Sequence, residues 1–227
     1  MTKRKHKREK ALLFHNLTQQ AQADSSSHSH IPLTPAEAAT LPLLAGLPQS
    51  TELTKMKKFR FQLLHEWIIA NLPQGRVADV GGGKGLLAYL LQQSGWPATV
   101  IDPTPQALPD KYKDFRLNRR VKIGPEETVP RIDRPFSADL AEPFDLLVSM
   151  HAHGCNVQLI DVAAASGKQI ILLPCCIIDE PLLPEPGQHW IACLMEYALA
   201  KNLVVTPFRL NFRGQNIGLH IRPETAA

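Results

Sequence analysis

Hydrophobic positions along the chain fall into two textures. Leu53, Met56, Phe59, Leu63, Leu64, Trp67 and Ile68 recur at three- and four-residue steps, which predicts an amphipathic helix from about Thr51 to Asn71. Lys55, Lys57, Lys58 and Arg60 fall largely off that face, where a helix keeps its solvated side. Beyond Asn71 the apolar residues gather into short unbroken runs. Arg76–Val80, Ala98–Ile101, Phe144–Met150 and Gln169–Leu173 predict buried strands, with helices between them at Leu86–Gln93 and Asn156–Ala165. Such strands alternating with helices imply a parallel sheet covered on both faces. Trp190–Lys201 predicts a further helix. Leu203–Asn211 and Asn216–Arg222 flank Phe212-Arg213-Gly214-Gln215 and predict a closing hairpin. Residues 103–143, rich in proline and charge, yield only one strand, at Arg120–Ile123. The expected class is α/β: a Rossmann-like, seven-stranded, mostly parallel sheet with a C-terminal antiparallel hairpin, spanning residues 51–227.

Residues 1–50 read differently, as a basic, partly disordered extension with short helices. Ala11–Ala23 can form a short helix, and the polar run from Asp24 to His30 cannot bury a core. Thr34-Pro35-Ala36-Glu37 has the residues of a helix start. Residues 1–10 carry six Lys/Arg against one Glu, so the high pI belongs to this tail and the body is nearly neutral. Thr2–Lys10, a basic block with no apolar residues, is expected to be mobile and suited to polyanions.

Across 227 residues, 44% hydrophobic and 20% charged content supports one sizeable core and excludes collagen-like, coiled-coil and wholly disordered chains. No run of eighteen apolar residues occurs, so no membrane-spanning helix is expected. The N-terminus lacks the apolar segment of a secretory signal. With Cys155, Cys175, Cys176 and Cys193 in apolar surroundings, the expectation is reduced thiols in a cytosolic protein.

The chemistry concentrates in Val77-Ala78-Asp79-Val80-Gly81-Gly82-Gly83-Lys84-Gly85. A strand ends, the chain turns on glycines, and a helix begins. Ala78 stands where a P-loop needs its first glycine, and no Ser/Thr follows Lys84, so that reading fails. A dinucleotide fingerprint counted from Gly81 ends on Leu86 and is damaged. The form Asp-x-Gly-x-Gly-x-Gly is complete from Asp79 to Gly85.

That form resembles the first motif of class I S-adenosylmethionine-dependent methyltransferases. The resemblance implies that Asp79, Gly81, Gly83 and Gly85 hold the amino-acid part of S-adenosylmethionine, and that an acidic residue ending the second strand takes its ribose hydroxyls. Asp102 stands at that place, and a carboxylate accepts two hydroxyl protons well. Met150-His151-Ala152-His153-Gly154 and Leu173-Pro174-Cys175-Cys176 resemble a narrower subfamily, with a His-Ala-Cys-Gly element after the fourth strand and Pro-Cys-Cys after the fifth. It includes a tRNA 2′-O-methyltransferase, and His153 here replaces its usual cysteine.

Methyl transfer from a sulfonium needs in-line positioning and, for a hydroxyl acceptor, proton removal. His151 and His153 are the candidate bases; each can equally serve to stabilise its loop. Cys175 or Cys176 as a covalent nucleophile is disfavoured because the motif follows the fifth strand. Zinc on His151, His153, Cys155 and Cys176 is disfavoured because Cys-x-x-Cys spacing is absent, and no metal is expected. RNA is the favoured acceptor and partner, through the basic tail and the Lys55–Arg60 helix. A small-molecule or protein methyltransferase, and an inactive RNA-binding module of the same fold, remain open, as does the oligomeric state.

Overall fold

The computed structural model describes residues 3–28 and 57–224. The predicted helix start at Thr34, the boundary near residue 50, and Lys55 lie outside them. Helix α1 (Lys3–His28) comes first, then a 3-10 turn (Lys57–Phe59) leading into α2 (Arg60–Asn71). There follow β1 (Val77–Val80), α3 (Leu86–Gln93), β2 (Ala98–Ile101), β3 (Lys111–Lys113), β4 (Arg120–Lys122), β5 (Arg131–Ile132) and β6 (Leu146–Met150). The chain closes with α4 (Asn156–Ser166), β7 (Gln169–Leu173), α5 (Trp190–Leu199), β8 (Leu203–Arg209) and β9 (Ile217–Pro223).

Seven strands form one sheet in the order β5-β2-β1-β6-β7-β9-β8. The first five are parallel, and β9 and β8 are antiparallel to their neighbours. This is the expected α/β architecture. Alternation along each strand divides the core. Ala78, Val80, Leu147, Ile170 and Leu172 face α4 and α5, while Val77, Leu146, Val148, Ile171 and Leu173 face α2 and α3. Pro207 lies in β8, the outermost strand, where a missing amide donor is tolerated.

Three elements differ from expectation. Arg120–Lys122 is a strand, but it pairs with β3 in a separate two-stranded ribbon. The strand completing the main sheet beside β2 is β5, only two residues long and preceded by Pro130. Its register is set by Val100 N–H donating to the Pro130 carbonyl at 2.9 Å, not by an apolar run, so no periodicity announces it. Helix α1 is longer than the predicted Ala11–Ala23, because Lys, Arg and Glu before Ala11 are good helix formers. Leu17 is 1% exposed, and Leu13, Phe14 and Ala21 pack around it, seating α1 on β8 beside α5. The Lys10 ammonium donates to the Gly214 carbonyl in the β8–β9 turn.

Among the described residues no helix is long and apolar enough to cross a membrane. Strand β1 has β2 on one side and β6 on the other, so the chain reverses its direction of sheet growth at β1. Open parallel sheets place ligands at the carboxyl ends of strands flanking such a reversal.

Candidate functional site

At the carboxyl end of β1 the chain turns through Gly81, Gly83 and Gly85, with φ of +66°, +55° and +77°. The three glycines have different reasons to be glycine. A Cβ on Gly81 would sit 2.3 Å from the Ala152 Cβ, in the loop after β6. A Cβ on Gly85 would sit 2.9 Å from methyl carbons of both Val100 and Val129. These two are demanded by the protein's own packing. Gly83 is different: its nearest neighbour would be Gln106 Nε2 at 3.9 Å. Among the described residues nothing else lies in front of its left-handed backbone.

Asp102 leaves β2 beside this opening. One carboxylate oxygen accepts from the Gly83 amide and the other from the Thr104 amide, each at 2.9 Å. Both oxygens keep a lone pair for a further donor. Arg131, from β5, braces the arrangement: its guanidinium donates to the Gly83 carbonyl at 2.8 Å and the Thr104 carbonyl at 3.1 Å, and pairs with Asp133 at 3.1 Å. Arg131 and Thr104 were not legible beforehand, since both lie in the stretch without periodicity.

Asp79 lies beneath the turn, 2% exposed. The amide of Ala88, in the first turn of α3, donates to its carboxylate, while Oδ2 is buried with no hydrogen-bond partner among the described residues. A Cβ on Gly82 would sit 2.5 Å from that oxygen, so Gly82 is a glycine for the sake of Asp79. Burial is the main cause that pushes the Asp79 carboxyl up to about 7; the Ala88 amide opposes it, Asp102 adds to it and Arg131 opposes it. Between pH 4 and that value the folded state holds a proton that the unfolded state has released. Stability is therefore expected to fall as pH rises across this window, by up to roughly 1.4 kcal/mol per pH unit, and to level off above it. Urea denaturation of Asp79→Asn at a series of pH values should show this slope removed.

On the other side of β1 the loops after β6 and β7 form a wall. His151 has φ +60°, is half-buried, and sets its ring edge-on to Phe212 with centroids 6.4 Å apart. His153 is exposed. The His151 amide donates to the Leu173 carbonyl and the Gly154 amide to the Ile178 carbonyl, both at 3.1 Å. Glu180 fastens the same loops. Its buried carboxylate accepts from the backbone amides of Asn156 at 3.0 Å and Val157 at 3.1 Å, and from the Asn156 side chain. A residue following β7 thus caps the helix following β6, where a negative charge is favoured. Glu180→Ala leaves two amides unmatched and is expected to cost about 1–3 kcal/mol, read as a lowered thermal midpoint.

The four cysteines are in no disulfide. Cys155 is buried against Ser149 Oγ at 3.5 Å, and burial pushes its thiol up to about 11, which makes it a poor nucleophile. Cys175 and Cys176 are half-buried with their sulfurs 3.4 Å apart. The sequence-predicted residues therefore gather at one end of the sheet: Asp79, Gly83 and Asp102 around the turn, and His151 and His153 on the facing wall.

No protein-family model matches the chain, and no curated protein matches it. Solved structures do. A ribosomal protein L11 methylase from Lactobacillus delbrueckii subsp. bulgaricus is 19% identical, with 73% of this chain and 77% of that one covered and a TM-score of 0.40. A magnesium protoporphyrin IX methyltransferase from Synechocystis PCC 6803 with bound SAH is 13% identical, with 84% and 95% covered and a TM-score of 0.46. A 1,6-didemethyltoxoflavin-N1-methyltransferase from Burkholderia thailandensis, with bound 1,6-didemethyltoxoflavin and S-adenosylhomocysteine, is 13% identical, with 86% and 94% covered and a TM-score of 0.42. Likeness at these levels carries no argument about the chemistry of this chain, which rests on its own residues.

Proposed function

We propose that this protein transfers a methyl group from S-adenosylmethionine to an acceptor, with RNA as the acceptor class. The observation that carries the first part is Gly83: a left-handed glycine with open space in front of it, its amide fixed on the Asp102 carboxylate. A backbone held open and left unfilled by the protein suits close approach of a ligand. Asp102 would take paired ribose hydroxyls on its remaining lone pairs. Asp79, with an unpartnered oxygen beneath the turn, would be held ionised by a cationic ligand group above it. When bound, the cofactor supplies a sulfonium-activated methyl carbon for in-line displacement. The chain's part is positioning and proton removal. His153 is exposed on the wall where an acceptor would enter, and an imidazole there can take the acceptor's proton as its oxygen or nitrogen attacks, whereas both ring nitrogens of His151 are buried.

The RNA reading is supported by the ribbon of β3 and β4. Residues 110–123 carry Lys111, Lys113, Arg116, Arg119, Arg120 and Lys122 against Asp110 and Asp114. Across the ribbon Lys111 faces Lys122, and Lys113 faces Arg120. Like charges directly opposed destabilise a strand pair, and a polyanion would relieve them. Phe115 meets Phe59 edge-on with centroids 6.0 Å apart, which joins the ribbon to the basic start of α2 at Lys58.

Labelled S-adenosylmethionine incubated with fractionated RNA, protein and metabolites tests the proposal. Label in RNA is expected. Label in protein or metabolites alone would select the corresponding rival, and binding without transfer would select an inactive module. The triple variant Arg119→Ala, Arg120→Ala, Lys122→Ala should weaken RNA binding and lower its salt slope by roughly one per lost phosphate contact, leaving cofactor affinity unchanged.

A further inference from the structure

The wall after β6 and β7 brings together three side chains that can ligate a metal. A ring nitrogen of His153 and the sulfurs of Cys175 and Cys176 lie within 4.8 Å of one another. Zinc was disfavoured on sequence spacing for the set His151, His153, Cys155 and Cys176. The fold changes the set. Cys155 is turned into the core against Ser149, His151 packs on Phe212, and Cys175 comes forward in their place.

We propose that His153, Cys175 and Cys176 form a three-ligand site for one Zn²⁺ ion, with a fourth position open to solvent. The distances suit it. Two thiolates about 2.3 Å from one tetrahedral ion lie about 3.8 Å apart. The two sulfurs here are 3.4 Å apart before any ion draws on them. The donor set suits it too. Two soft thiolates and an imidazole favour zinc, or cuprous copper, over magnesium, calcium or manganese, which take oxygen ligands. The scaffold is already fixed. The Gly154 amide on Ile178, the His151 amide on Leu173 and Glu180 on the start of α4 hold the two ligand-bearing loops together. Each thiol gives up its proton as its sulfur binds and the imidazole binds neutral, so one ion releases two protons and affinity rises with pH.

Three protein ligands and an open place are the pattern of zinc sites that bind a reactant, whereas structural sites close all four positions. The location agrees. Ala152, next to His153, is the residue that Gly81 touches from the glycine turn. An acceptor carrying an anionic oxygen or a thiolate would occupy the fourth position. In that arrangement His153 is a ligand and not a base. Only this last step rests on the methyl-transfer reading; metal binding stands apart from it.

The test uses the full chain, reduced and stripped of metal. Zn²⁺ is titrated in competition with a chromogenic chelator, and Co²⁺ is added in parallel for its visible spectrum. One equivalent of Zn²⁺ is expected, with the absorption of tetrahedral Co²⁺ bound to thiolate. Cys176→Ser and His153→Ala should each lose more than the roughly 10–100-fold in affinity that removal of an outer-shell partner costs. Cys193→Ser, on α5 in the core, should bind as the parent does, and far-ultraviolet dichroism checks that each variant is folded. Absence of saturable uptake, or unchanged affinity in Cys175→Ser/Cys176→Ser, would overturn the site. The readout needs no S-adenosylmethionine, so its failure leaves the proposed activity standing, and failure of cofactor binding leaves the metal site standing.

Discussion

Gly83→Val is expected to abolish S-adenosylmethionine binding in calorimetry while the protein stays folded. The two halves of this result have separate causes. Among the described residues a Cβ at position 83 meets nothing closer than Gln106 at 3.9 Å, so the internal penalty is chiefly the left-handed backbone. That costs about 1–2 kcal/mol for a residue with a Cβ. Toward a ligand, the isopropyl group fills the space that the glycine leaves open. Gly81→Val would give a less informative loss, because its Cβ would collide with Ala152 and the turn itself would shift. Heat of binding retained in Gly83→Val would mean that the open side of the turn is not the cofactor cradle.

Asp102→Ala is the second large effect. The substitution removes an acceptor from the Gly83 and Thr104 amides together with the carboxylate offered to the ribose. Hydrogen bonds to a charged group are worth about 1.5–3 kcal/mol, so the dissociation constant should rise by roughly 10–150-fold. Asp102→Asn separates the contributions. It retains one acceptor oxygen, so its deficit should be smaller than that of alanine. A dissociation constant unchanged in both variants would remove Asp102 from the site.

What could be read in advance follows from what periodicity encodes. Leu86–Gln93 and Gln169–Leu173 are bounded by glycine, proline or polar residues, and their helix and strand coincide with the prediction. Asp79 and Asp102 were legible through the resemblance: Asp79 opens the complete Asp-x-Gly-x-Gly-x-Gly form, and Asp102 ends the second strand, where the family's pattern has an acidic residue. Arg131 was not legible. It acts from a two-residue strand through bonds to two carbonyls, and hydrogen bonds to backbone leave no trace in residue spacing. Glu180 escaped for the same reason: its partners, Asn156 and Val157, are 24 and 23 residues earlier in the chain. The cysteines were judged on local spacing, whereas Cys175 and Cys176 meet His153 across two loops.

The Glu180 clamp also decides which side of the cleft can yield. Opening the wall after β6 and β7 would break two amide-to-carbonyl bonds and strip two amides from a buried carboxylate at once. The ribbon packs Tyr112 and Ile123 against the core at its base, and its far end meets α2 through side chains alone, with Gln62 donating to Asp114 at 3.0 Å, Arg116 meeting Glu66 and Phe115 edge-on to Phe59. The Arg116–Glu66 pair is largely exposed, and such a pair is held weakly. Under the proposed activity a bulky acceptor would be admitted by yielding of the ribbon's outer end, as a gate swings against a fixed post. In hydrogen exchange the amides of Gly154 and Val157 should stay protected while those of β3 and β4 exchange early.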